Sequence, residues 1–253
     1  MIKLIFVTFA AFVFFVSMAS AQNGQPVQQN QKQKRAETIT YDSEIEMTIA
    51  PCGNALDLMY FPYPKASLKA IAEKNNFRFV INGAYFYQSR GKAVPAGWYN
   101  DQGVVSGKLS KNKMLSHIVQ YNTETKEFQF LPLRFFNPKR RYSVFEFQAG
   151  PMIIENNKVV TESLARLRGL RGQYTRTFLA VRDKRSAYFI TIRTPVSLEE
   201  AAEHIMKAEI ARKGSLTVIS LGSGKGAAFY SANHPEYNYN SDDALPIIIG
   251  AKK

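Results

Sequence analysis

Short apolar runs, rich in β-branched and aromatic residues, constrain the fold of this chain more than any other feature. Phe77–Ile81, Val144–Phe147, Pro151–Ile154, Thr177–Val181, Ala187–Ile192, Leu216–Leu221 and Leu245–Ile249 are each too short for an ordinary helix and read as strands. Two stretches carry helical spacing instead. Ser67–Asn76 begins on a serine N-cap, sets Leu68, Ile71 and Ala72 on one face, and ends on asparagines. Ser197–Lys213 opens with Ser197 and Glu200 at capping-box spacing, continues with Leu198, Ala201, Ala202 and Ile205 as an apolar stripe, and stops at Gly214. Strands that outnumber helices without strict alternation predict an α+β fold, one domain of mixed or antiparallel sheet with a few helices.

The first residues stand apart from that domain. Residues 1–21 carry Lys3, an apolar core from Leu4 to Val16 and the small residues Ala19-Ser20-Ala21, the pattern of a signal peptide cleaved after Ala21. Residues 22–37 are polar and glutamine-rich, a composition that buries too little apolar surface to fold, and are expected to be a flexible leader. The folded domain is expected over 38–253. No later segment is long and apolar enough to cross a bilayer, so a secreted or periplasmic protein without stable membrane insertion is expected.

Charge then gains a meaning. Lys and Arg number 33 against 20 Asp and Glu, a formal +13 that falls to +12 when Lys3 leaves with the signal. In an exported protein this surplus points to a phosphorylated or acidic glycan as partner and away from nucleic acid. The single cysteine, Cys52, excludes an intrachain disulfide scaffold and a cysteine-rich zinc site. His117, His204 and His234 show no metal-ligand spacing, so neither metal nor cofactor is expected, and His204 reads as a structural residue of its helix.

The glycine-rich segment Ser220–Ala227 (SLGSGKGA) is not a nucleotide site. A P-loop would need glycine where Ile219 stands and Ser or Thr where Gly226 stands, and the dinucleotide fingerprint fails on its third spacing. The residues after it, Ala227–Ser231, look like a strand. Three further segments are turn-like and unusual: Asn82-Gly83-Ala84-Tyr85-Phe86 at the end of a strand, Pro95-Ala96-Gly97 before the only tryptophan, Trp98, and Gly150-Pro151 between two apolar runs.

Taken in order, these segments resemble the phosphodiester glycosidase family. That family typically has Asn-Gly-Gly-Tyr-Phe where this chain has Asn82–Phe86, then a Pro-x-Gly turn matching Pro95–Gly97, a Gly-Pro with apolar residues matching Gly150–Ile154, and an Arg-Thr opening a strand at Arg176-Thr177. A final Asn-Leu-Asp-Gly-Gly-Gly-Ser falls on Ser220–Gly226, which places the family aspartate at Gly222. The resemblance covers about residues 75–253.

On this resemblance, Asn82 would orient a sugar and Arg176 would hold a phosphate through its forked guanidinium. Asp101, or Glu146, would stand in for the missing aspartate. Gly83, Tyr85, Gly97, Trp98, Gly150, Gly224 and Lys225 would contact substrate, with Tyr85, Phe86 and Trp98 offering aromatic surface to a sugar face. Arg166, Arg168 and Arg171 crowd the approach to Arg176. Two activities follow: hydrolysis of a sugar-1-phosphate diester, or glycan and phosphate binding by a module that kept the pocket and lost the chemistry.

Overall fold

A computed structural model describes residues 38–139, 144–160 and 171–252. The signal and leader readings, Arg166 and Arg168 lie outside the described residues. Strands come first: β1 (Thr40–Asp42), β2 (Met47–Gly53) and β3 (Leu56–Tyr60) precede helix α1 (Leu68–Asn75). Next come β4 (Phe77–Asn82), β5 (Phe86–Ser89), β6 (Lys92–Pro95), β7 (Tyr99–Asp101) and β8 (Val104–Ser106). The middle of the chain supplies β9 (His117–Asn122), β10 (Glu127–Pro132), β11 (Val144–Ala149), β12 (Met152–Glu155) and β13 (Lys158–Val159). After them run β14 (Tyr174–Arg182), β15 (Ser186–Val196), helix α2 (Leu198–Lys207), β16 (Leu216–Ser223), β17 (Phe229–Ser231) and β18 (Ile247–Lys252).

All the pairings are antiparallel. They give a seven-stranded sheet ordered β1-β2-β15-β14-β16-β12-β13, a five-stranded sheet β10-β9-β11-β7-β8, a four-stranded sheet β17-β4-β18-β3 and the hairpin β5-β6. This is the α+β domain that the apolar runs predict.

The seven-stranded sheet is buried on both faces, which is why its central strands are apolar without alternation. One face sends Ala50, Leu179, Phe189 and Ile219 against Phe79, Ile81 and Ile249 of the four-stranded sheet and Tyr121 and Phe147 of the five-stranded one. The other face places Ile49, Phe178, Ile190 and Val218 beneath Leu198, Ala201, Ala202 and Ile205 of α2. Helix α1 covers the outer face of the four-stranded sheet, where Leu68, Ile71 and Ala72 meet Val80, Tyr230 and Ile248.

Both helices start as their caps dictate. Ser67 accepts from the Ala70 N–H at 3.2 Å, and Ser197 and Glu200 close the full capping box. Helix α1 ends on Asn76 in the left-handed region (φ 55°). The second helix is shorter than its sequence suggests. Ala208 turns extended (ψ 154°) and a 3-10 turn, Glu209–Arg212, replaces the last helical turn. That break lets Ile210 and Ala211 reach the core under the sheet, and burial of two apolar side chains outweighs one more turn of exposed helix.

Candidate active site

Segments distant in sequence converge where β4 and β16 end and β14 begins. Asn82 closes β4 and is buried, with 4% exposure. Its Oδ1 accepts from the Ala228 N–H at 3.1 Å, its own N–H donates to the Ala228 carbonyl at 3.2 Å, and its Nδ2 donates to the Gly83 carbonyl at 3.3 Å. The side chain therefore braces β4 against the start of β17, and one amide hydrogen remains for a ligand.

Gly222 lies directly beneath it. A Cβ at position 222 would stand 2.5 Å from Asn82 Nδ2 and 3.4 Å from Thr177 Oγ1. Here absence of a side chain is a packing requirement: Asn82 and Thr177 occupy the space that any larger residue would enter. Position 222 pairs with Thr177 across β14, and a bulge between Thr177 and Phe178 leaves Leu221 as the extra residue on β16.

Tyr85 joins this corner to a buried cation. Its hydroxyl lies 3.2 Å from Ser220 Oγ. Burial raises its pKa, while the Ser220 hydrogen bond and the Arg176 charge pull it back down. Arg176 is 3% exposed. Its Nε donates to the Val196 carbonyl at 3.0 Å and its Nη2 to the Gly172 carbonyl at 2.6 Å. The guanidinium lies 5.3 Å from the centre of the Tyr174 ring. Burial lowers its pKa, and Tyr85 and Tyr174 oppose that shift. No carboxylate pairs with it among the described residues. A guanidinium has five N–H donors, so fixed donors remain for an anion.

Asn82, Tyr85, Phe86, Gly222, Ser223 and Gly226 line a cavity of about 240 Å³ at this corner. None of its described lining residues is acidic. Two larger hollows, about 560 and 480 Å³, share Phe128, Gln129 and Lys184, and neither includes Asn82, Tyr85 or Arg176.

The remaining sequence-derived positions divide. Gly83 packs against Ile247, where a Cβ would lie 2.4 Å from Cγ2, and its N–H donates to the Ile247 carbonyl at 2.7 Å. Gly150 has φ +145° and a cis bond to Pro151. It brackets the corner from outside, through Gly150 N–H to Ser220 carbonyl at 3.1 Å and Ser220 N–H to Pro151 carbonyl at 3.0 Å. Gly224 adopts φ +57°, and its carbonyl accepts from Thr175 Oγ1 at 3.3 Å. Lys225 is exposed on the 3-10 turn Gly224–Gly226, outside the cavity lining. Arg171 is exposed as well.

The Pro95–Trp98 turn reaches the corner through Pro95, paired with Phe86, and through the Ala96 N–H, which donates to the Tyr85 carbonyl at 2.8 Å. Gly97 and Trp98 are fastened instead to β11. A Cβ at Gly97 would meet Gln148 Oε1 at 2.6 Å, and the Trp98 N–H donates to that same oxygen at 3.1 Å. The indole Nε1 of Trp98 donates to Glu146 at 3.1 Å. Glu146, 1% exposed, also accepts from Asn100 and Gln120, so its carboxylate is committed to the five-stranded sheet. Asp101 is half-buried on β7. Burial and then the Asp57 carboxylate raise its pKa, and no described contact brings it to Asn82 or Arg176. Sequence reasoning passed over Ser220, Thr177 and Ala228. Thr177 sits inside the Arg-Thr pair, whereas the roles of Ser220 and the Ala228 backbone depend on pairing across the fold.

The sequence profile of the phosphodiester glycosidase family matches residues 75–216, more than half of the chain. The chain belongs to the phosphodiester glycosidase family. Among solved structures it is similar to the zebrafish N-acetylglucosamine-1-phosphodiester alpha-N-acetylglucosaminidase catalytic domain auto-inhibited by its pro-peptide. That pair shares 10% identity over 85% of this chain and 81% of the other, with a TM-score of 0.59. A hypothetical protein from Synechocystis is similar at 12% identity and a TM-score of 0.52, over 84% of this chain and 60% of that one. Both likenesses are of fold. No curated protein matches the chain. The family match ends at residue 216, before Ser220–Gly226 of this phosphodiester glycosidase family member.

Proposed function

We propose that the protein acts on a sugar-1-phosphate diester in an exported glycan, with the phosphate on Arg176 and the sugar beside Asn82 and Tyr85. The carrying observation is Arg176 itself: a buried guanidinium whose described partners are two backbone carbonyls, on the strand position paired with Ser223 of the cavity lining. Burying a cation without a counter-charge is costly, and a bound phosphate would offset that cost. In the reaction, water adds to the anomeric carbon, the bond from that carbon to the phosphate oxygen breaks, and the phosphate departs as a monoester while the proton of water passes to solvent. Glycosidases ordinarily use two carboxylates, one of them protonating the leaving group. A phosphate leaves without that assistance. Export rests on the signal-like residues 1–21, and the basic surplus suits an anionic polymer.

A second reading, binding without cleavage, is favoured by Gly222. The family aspartate falls there, and Asn82 and Thr177 pack into the space its side chain would need. The test is incubation of the protein with a panel of sugar-1-phosphodiesters while free sugar and binding heat are measured. Release of sugar that disappears in Arg176→Ala and Asn82→Ala supports hydrolysis. Binding without release, lost in the same variants, supports the second reading. Neither binding nor release across the panel overturns both.

A further inference from the structure

We propose that Asp42, Glu44 and His204 form a site for a divalent transition metal, separate from the phosphodiester corner. Sequence spacing hides this group, because its ligands come from the end of β1, the turn after it and the middle of α2. One ligand atom from each residue lies within 4.8 Å of the other two. Roughly 3.3–3.5 Å separates neighbouring ligand atoms in a tetrahedral zinc site. The Asp42–His204 pair stands at 3.9 Å, and the exposed Glu44 is the side chain with room to approach them.

The local structure already fixes two of the three. Asp42 Oδ1 accepts from the Glu44 N–H at 2.9 Å, which orients the carboxylate and sets the turn. Its other oxygen, Oδ2, faces His204 Nδ1 at 3.9 Å. That distance is too long for a hydrogen bond, so the two atoms do not satisfy each other. His204 has only 15% of its side chain exposed, and its neighbours Ala201 and Ile205 are anchored in the core, so the imidazole is held on the inner side of α2. Between the strand edge and the helix lies a cavity of about 200 Å³, lined by Tyr41, Asp42, His204, Lys207 and Glu209 among others. Lys207 and Glu209 carry opposite charges, and Glu209 also pairs with Lys213. Asp42 therefore leaves the pocket lining net negative, and Glu44 stands beside it outside the lining.

One imidazole nitrogen and two carboxylate oxygens suit zinc and its neighbours, with water as a fourth ligand, better than calcium, which takes six to eight oxygens. The other histidines are poorer candidates. His117 is engaged with Ser116 through Nδ1, and Glu236 is the one carboxylate beside His234 among the described residues. Metal at this site would tie edge strand β1 to α2, across 162 residues of chain from position 42 to position 204.

The experiment is calorimetric titration of untagged, chelator-treated protein with zinc, paired with thermal melts with and without the ion. One equivalent bound, a midpoint raised by several degrees, and at least tenfold weaker binding in both His204→Ala and the conservative Asp42→Asn are expected, with His234→Ala unchanged. Absence of stoichiometric binding overturns the proposal. So does wild-type affinity in Asp42→Asn, or a loss confined to His234→Ala. Should His204→Ala fail to fold, Asp42→Asn and Glu44→Gln decide the outcome alone. The result is independent of whether any glycan is bound.

Discussion

Two charges are buried among the described residues, and they are treated in opposite ways. Glu146 stands in the five-stranded sheet with three side-chain donors, from Trp98, Asn100 and Gln120, converging on its carboxylate. Arg176 stands at the end of the seven-stranded sheet with two backbone carbonyls and unspent donors beside a cavity. A fully satisfied buried ion is architecture, since nothing is left for a partner. One that keeps capacity in reserve is positioned to receive something. This contrast, more than exposure or charge alone, separates the scaffold from the site.

The sharpest way to break the contrast is Glu146→Ala. It strips buried Asn100 and Gln120 and half-buried Trp98 of their acceptor and should cost about 3–5 kcal/mol of stability in urea unfolding. A loss below about 1 kcal/mol would mean that the network is not structural.

Next is the pH dependence of the same sheet. Burial depresses His117 from 6.5 to about 4. The neutral form is therefore favoured in the folded state, and its contribution is fully present above pH 6.5 and lost as pH falls through about 4. Unfolding free energy should drop by about 2–3 kcal/mol more in wild type than in His117→Asn between pH 7 and pH 4. Parallel curves for the two proteins would remove His117 from the account.

Arg176→Ala tests the open charge from the other side. It should weaken binding of a sugar phosphodiester by roughly 10–100-fold while costing only about 1–2 kcal/mol of stability, mostly from the stranded carbonyls of Gly172 and Val196. A stability loss as large as that of Glu146→Ala, with binding intact, would erase the distinction. The smallest effect is expected for Tyr85→Phe, which removes only the bond to Ser220: about 0.5–1 kcal/mol in unfolding.

The same contrast explains what could be seen in the sequence. Strands β14, β15, β16 and β18 are apolar on both faces and stood out as runs. Their true ends reach further, to Tyr174 and Val196 for example, where polar residues continue the pairing. The three-residue strands β7 and β8 are too short to show a period. Strand β9 carries Gln120, buried at 7%, and that inward polar residue breaks its apolar pattern. At the candidate site, the fold brings together Asn82, Tyr85 and Arg176, which motif order names. Order along the chain does not show that a 3-10 turn carries Lys225 outward. The bracing of Asn82 by Ala228 was not legible either, as it joins residues 146 positions apart. The break at Ala208 was hidden because helical spacing persists through Ile210 and Ala211, which are buried by a different turn.

Strand β18 has one more consequence. It lies between β3 and β4, pairing Ile249 with Leu58 on one side and with Ile81 on the other. Both partners precede it by well over a hundred residues, so their inner edges stay open throughout the synthesis of the intervening chain. Such distant pairing is slow to form, and an unfilled edge invites other strands. The four-stranded sheet is a slot waiting for its last occupant, and a chain cut before Ile247 should fail by aggregation rather than by loss of chemistry.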